Sequence, residues 1–169
     1  LLMLYHKKET FIYSYMSLKY SLRSILRWST PFATENIRQH PALTIVAFAF
    51  HICLILTPIF LLAHVTLIDE SWNLSWWTLP DGAAEIMTLI VIAACVFFFV
   101  RRLVNPEVQY VTSASDYIIL AIVAAPFITG VIAYYQWFGY QFFMILHILS
   151  GEIMLVAIPF TRLSHMLFA

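Results

Sequence analysis

The chain has 169 residues, of which 62% are apolar or aromatic and 11% are Asp, Glu, Lys or Arg, whereas an ordinary soluble domain carries about 25% charged residues. One globular core cannot hold that apolar excess, which excludes a soluble enzyme, while bilayer crossings of roughly 20 apolar residues each absorb it readily. Nine basic residues balance nine acidic ones, and without a long basic run or a Gly-rich phosphate loop, nucleic acid and nucleotides are poor candidates as ligands.

In chain order, residues 1–42 read as a basic amphipathic flank. Its opening, Leu1-Leu-Met-Leu-Tyr5, looks like the end of an apolar run, so a fifth membrane helix is expected upstream. Over Thr10 to Trp28 the apolar Phe11, Tyr15, Leu18, Leu22 and Ile25 recur at helical spacing, while Lys19, Arg23 and Arg27 form a stripe four apart. That is the pattern of an interfacial helix, serving as a lipid-surface anchor or as a docking platform for a soluble partner. Residues 43–169 read as an all-α integral membrane bundle with four predicted spans: Leu43 to Leu67, Ala83 to Val100, Asp116 to Tyr135 and Gln141 to Arg162. His40-Pro41 opens the first, Pro80-Asp81-Gly82 precedes the second, and Ser113-x-x-Asp116 makes a capping box ahead of the third.

The basic residues agree on one topology. Lys7, Lys8, Lys19, Arg23, Arg27 and Arg38 precede the first span, Arg101 and Arg102 follow the second, and Arg162 ends the fourth. Retention of basic segments in the cytoplasm places the N-terminal flank and the C-terminus inside, with Asp69 to Asp81 and Tyr135 to Tyr140 outside. The outer loops hold Trp72, Trp76, Trp77, Tyr135, Trp137 and Tyr140, as an interfacial aromatic belt would.

Four of the six histidines, His51, His64, His147 and His165, lie in or at the ends of the first and fourth spans, and ionisable residues at membrane depth usually have a function. At 1.5 Å per residue His64 lies about 20 Å beyond His51, and on the oppositely running span His165 lies roughly 27 Å beyond His147. Two levels follow, His64 with His147 outside and His51 with His165 inside, each able to offer one imidazole to either face of a haem b iron. The 18 positions from His147 to His165 equal five helical turns, putting both on one face of a continuous helix, and Gly151 on that face leaves room for a flat macrocycle. The 13 positions from His51 to His64 leave those two rings about 140° apart in an ideal helix, so a kink at Thr57-Pro58 would have to rotate the outer half. His40 shares the face of His51 and is a rival ligand, although a place before Pro41 suits a solvated or capping residue better. Singly, each histidine is explained as well by hydrogen-bonded packing; two pairs at matching depths favour haem.

Other polar residues carry two readings each. Arg162, three residues before His165, is placed to meet a propionate of the inner haem. Arg101 and Arg102 come from the same side and serve equally as topology-setting charge. Glu152 stands near mid-membrane, in a proton path or as a neutral hydrogen-bonded carboxyl. Asp81 and Glu85 open the second span, accepting protons from a quinol or simply favouring a helix N-terminus. Ala93, Ala94 and Gly130 read as close helix packing. Cys53 and Cys95 stand singly in apolar stretches and no C-x-x-C-H occurs, which excludes an iron–sulfur cluster built by this chain alone and covalently attached haem.

The phrases Phe50-His51-Ile-Cys-Leu54, Pro58-Ile-Phe-Leu-Leu-Ala-His64, Glu70-Ser-Trp-Asn-Leu-Ser-Trp-Trp-Thr-Leu-Pro80, and Leu146-His147-Ile-Leu-Ser-Gly-Glu152 through Pro159-Phe-Thr-Arg-Leu-Ser-His165-Met166 resemble the membrane cytochrome b subunits of sulfate-reducer redox complexes. Those belong with the gamma subunit of respiratory nitrate reductase. The likeness covers about Arg38 to Phe168; the spacing of His147 and His165 is similar to that of the nitrate reductase subunit, while the spacing of His51 and His64 is longer. The resemblance implies two haems b on His51, His64, His147 and His165, a bacterial cytoplasmic membrane, and menaquinol as a quinone substrate at the outer side. It also implies two partners: a cytoplasmic iron–sulfur subunit of the heterodisulfide reductase type and a periplasmic multihaem cytochrome c. The function expected is transmembrane electron transfer, with quinol oxidation open. A haem-free quinone-binding or membrane-anchor subunit is the alternative, and a proton-coupled transporter around Glu152 lacks the repeats and broken half-helices such proteins use.

Overall fold

The computed structural model describes residues 19, 20, 22, 23 and 39–166, with backbone alone at His165 and Met166. Of the predicted N-terminal elements, only the helical Lys19, Tyr20, Leu22 and Arg23 fall among the described residues; the upstream helix and the rest of the interfacial helix lie outside them. Residues 1–45 and 46–169 group into two compact units.

From residue 41 onward the chain forms six α-helices, α1 (Pro41–Phe60), α2 (Leu62–Trp72), α3 (Asp81–Val104), α4 (Pro106–Val111), α5 (Ala114–Tyr135) and α6 (Tyr140–Phe160), followed by a 3-10 turn over Arg162–Met166, and no strand occurs among the described residues. α1, α3, α5 and α6 are long and apolar enough to cross a membrane. The protein is a multi-pass membrane protein, helical throughout its described spans, and a helix satisfies its backbone within one segment where no water is at hand. Residual polar groups are handled locally: Thr88, Thr129 and Thr161 each return their hydroxyl to the carbonyl four residues back.

Helix ends are marked by their chemistry. Asp81 stands in the first turn of α3, and Arg101 and Arg102 in its last, each charge complementing the helix dipole. The Asn105 side chain accepts the Glu107 N–H at 3.1 Å, with Pro106 in the first turn of α4. Ahead of α5 the Asp116 carboxylate accepts the Ser113 N–H at 2.7 Å, closing the expected capping box.

From residue 46 onward the spans run alternately up and down. The Leu79 N–H donates to the Phe60 carbonyl at 2.9 Å, joining the approach to α3 to the end of α1. The Tyr135 hydroxyl donates to Glu85, joining the end of α5 to the start of α3. Arg162 bonds to Asp116 at 3.0 Å and to Ser113 at 3.3 Å, joining the end of the α6 segment to the start of α5. Between these ends lies a core of Phe50, Cys53 and Leu54 on α1, Val91, Ala94 and Cys95 on α3, Val123 and Phe127 on α5, and Leu163. Small Ala94 and Cys95 let the helices approach closely, and the Phe50 ring meets Phe98 edge-on at 5.4 Å.

Two predicted spans need correction. The first is not one helix to Leu67: α1 stops at Phe60, Leu61 is extended (φ −68°, ψ 128°), and α2 begins afresh. Pro58 has no N–H for the Leu54 carbonyl, which loosens the last turn of α1. The fourth span stops at Phe160, and Thr161 is extended (φ −125°, ψ −179°) before the 3-10 turn. His147 and His165 therefore share no continuous helix, and the five-turn phase between them does not hold, because Pro159 weakens the last turn and a 3-10 turn advances three residues per turn.

Asp116 serves both the α5 cap and the tie to Arg162. Asp116→Ala is expected to cost about 1 kcal/mol, chiefly through the cap, since an ion pair to the solvent-exposed Arg162 adds little. The measurement is the thermal midpoint of the detergent-solubilised protein, which should fall by a few degrees; an unchanged midpoint would show the cap to be dispensable.

Candidate functional site

His64, third residue of α2, and His147, two turns into α6, are brought together. Their ring centroids are 5.9 Å apart with planes 15° from parallel. His64 Nδ1 donates to the Pro58 carbonyl at 2.8 Å, and His147 Nδ1 donates to the Pro126 carbonyl at 2.8 Å. A carbonyl can only accept, so Nδ1 bears a proton in both rings, and Nε2 is the nitrogen left to offer a lone pair. Histidines that ligate a metal are held in this way, the second ring nitrogen donating to a carbonyl that fixes tautomer and orientation. The spacing also fits: two imidazoles on opposite sides of one metal, at about 2 Å per metal–nitrogen bond, place their centroids roughly 6 Å apart.

Local structure explains both positions. The interruption at Leu61 separates His64 from the helical phase of His51, so the ideal-helix angle of the sequence analysis does not apply. His147 rests against α5, where Pro126 supplies the acceptor and Gly130 the space. A Cβ at Gly130 would lie 3.0 Å from His147 Cε1 and 3.1 Å from Nδ1. One turn separates Pro126 from Gly130, so they form a single cradle on one helix face. The Thr129 hydroxyl, 3.3 Å from that of Ser150, ties α5 to α6 beside it.

Gly130, read from the sequence as helix packing, is thus the glycine the imidazole requires. Gly151, read as room for a macrocycle, borders open space, where an added Cβ meets nothing within 4 Å. Pro126 went unread. The signal available for both was a proline and a glycine four apart in a span without histidine, a pattern with no meaning until His147 is placed opposite.

The other predicted residues are distributed as follows. His51 is half-buried on α1, its Nδ1 2.7 Å from the Ala47 carbonyl and its ring edge-on to Phe50 at 5.2 Å. His165 belongs to the 3-10 turn, and its side chain lies outside the described atoms, so the described side chains do not bring a second pair together. Arg162 engages Asp116, Ser113 and Ser115 at the start of α5. Glu152 is exposed on α6. Glu85 receives the Tyr135 hydroxyl. His40 offers its carbonyl to the Thr44 N–H and hydroxyl, both at 3.0 Å, at the head of α1. Cys53 and Cys95 are buried free thiols. Among the described residues no group of three or more His, Cys, Asp or Glu side chains is placed to hold a metal ion.

A protein of Nitratidesulfovibrio vulgaris (strain Hildenborough) is 38% identical over 150 residues, covering 89% of this chain and 66% of the relative. The chain thus spans just under two thirds of that relative, whose description, "Protein", states no activity. No family model and no solved structure matches.

Gly130→Ala separates the cradle from simple packing. Alanine in a helix interior is favoured over glycine by about 1 kcal/mol, so an unconstrained site would be stabilised. Here the added methyl meets a ring pinned by its bond to Pro126, and a lower thermal midpoint is expected; a higher one would contradict the contact.

Proposed function

We propose that this protein carries electrons across a membrane through haem b, with His64 and His147 as the axial ligands of one haem and His51 and His165 as those of a second. The observation that carries this reading is the facing imidazole pair with both Nδ1–H groups on proline carbonyls. The donor set fits a haem in particular, since among the described residues two histidine rings lie together with no third His, Cys, Asp or Glu grouped with them, and a porphyrin supplies four nitrogens more. Bound there, haem provides one-electron redox chemistry. The chain's own residues do the rest: the Pro58 and Pro126 carbonyls fix the tautomer and orientation of each ring, Gly130 sets the depth of the His147 ring, and the apolar spans keep the surroundings dry.

The partners and direction belong to the same proposal. With Arg101, Arg102 and Arg162 at the cytoplasmic end, His64 and His147 lie toward the outer face of a bacterial cytoplasmic membrane, near menaquinol or a periplasmic multihaem cytochrome c as donor. The opposite end would face a cytoplasmic iron–sulfur subunit of the heterodisulfide reductase type. The resemblance of the histidine phrases to the cytochrome b subunits supports this arrangement.

The test is the reduced-minus-oxidised spectrum of protein purified from its native membrane. His64→Ala and His147→Ala are each expected to remove about half of the b-type signal, and the double variant no more than either alone, because both serve one iron. His51→Ala should remove the other half and His40→Ala none. Additive losses from His64 and His147, or wild-type protein without haem, would contradict the proposal, the latter favouring a haem-free anchor subunit.

A further inference from the structure

The last four carbonyls of a helix have no partner within it, and in an apolar medium each must find a donor. At the end of α1, the Thr57 carbonyl takes the Leu61 N–H at 3.0 Å, Pro58 takes His64 Nδ1 at 2.8 Å, Ile59 takes Trp76 Nε1 at 2.9 Å, and Phe60 takes the Leu79 N–H at 2.9 Å. Trp77 adds a ring stacked on Phe60 at 4.2 Å. The loop between α2 and α3 is therefore strapped across the end of α1.

That strap competes with another structure. Without it, the carbonyls of Pro58, Ile59 and Phe60 would take the N–H groups of Leu62, Ala63 and His64, and α1 would run on as one helix. The Pro58 carbonyl would then go to Leu62, and His64 would return to the continuous-helix phase that holds it away from the face of His51. Pro58 does not forbid this, since the bond its ring removes is the one to Leu54. The Trp76 N–H occupies the middle carbonyl of the three. Trp76 is half-buried, whereas Trp72 and Trp77 are 76% and 66% exposed; a belt residue requires no particular backbone carbonyl.

We infer that Trp76 is a positioning residue for His64: its indole N–H, on the Ile59 carbonyl, holds α1 interrupted so that the neighbouring Pro58 carbonyl stays on His64 Nδ1. This rests on reading His64 as a haem ligand. The outer loop is thereby coupled to the ligand through two adjacent peptide groups.

The experiment is low-temperature EPR of oxidised wild type, Trp76→Phe and Trp72→Phe, each with haem quantified. Trp76→Phe, which keeps a ring and loses the N–H, is expected to retain haem and to shift the low-spin signal of the His64–His147 haem alone, with Trp72→Phe like wild type. Haem present with an unshifted Trp76→Phe signal overturns this inference and leaves the haem reading standing. Wild type without haem overturns both. Should Trp76→Phe fail to fold, benzothienylalanine at position 76, which keeps the indole shape and lacks the N–H, must give the same shift, and its absence again overturns the inference.

Discussion

At the end of α1 the Pro58 carbonyl has lost its helical donor, and the bond that meets it is the one that places the His64 imidazole. Pro58 and Pro126 each hold out a carbonyl, and His64 and His147 each answer with Nδ1–H. The bond fixes the ring's rotation, its tautomer and the nitrogen left over. Left unmet, the Pro58 carbonyl would cost about 1–3 kcal/mol, whereas Pro126 lies within an unbroken helix and takes His147 as an additional donor; a histidine free to rotate would offer either nitrogen to a ligand. Packing alone would bury the rings without choosing between those nitrogens.

The helix interruptions follow from the same constraint. α1 ends inside what reads as one apolar run, and it can do so because four donors from the following segment meet its last four carbonyls. Proline is present near each departure from regularity, Pro58 before the break in α1 and Pro159 before the extended Thr161. Yet Pro126 sits inside an α5 that continues unbroken. Proline loosens a turn; whether the helix then breaks depends on whether other donors are at hand. Where they are, as at Leu61, the chain gains a new direction and His64 a partner.

The four spans, their order and the α5 cap were legible because they rest on long apolar runs and on local chemistry such as Ser113 with Asp116. The pairing of His64 with His147 was legible from depth alone, since antiparallel spans of known rise bring those levels together. Its means were not. The 140° discrepancy on the first span depended on a break three residues after Pro58, and that break is held by Trp76 and Leu79, which sequence periodicity cannot connect to it. Gly130 and Pro126 were invisible for a related reason, being defined by what lies opposite on α6. The phase from His147 to His165 failed because five-turn arithmetic presumes one helix, and the chain changes to extended and then 3-10 geometry after Phe160.

The central claim, that His64 and His147 grip one iron from opposite sides, is tested most directly by the coordination of that iron. X-ray absorption at the iron edge of protein purified from its native membrane should show six nitrogen ligands at about 2 Å, four from a porphyrin and two imidazoles. Five-coordinate iron, iron bound by sulfur or oxygen, or protein free of iron would contradict it.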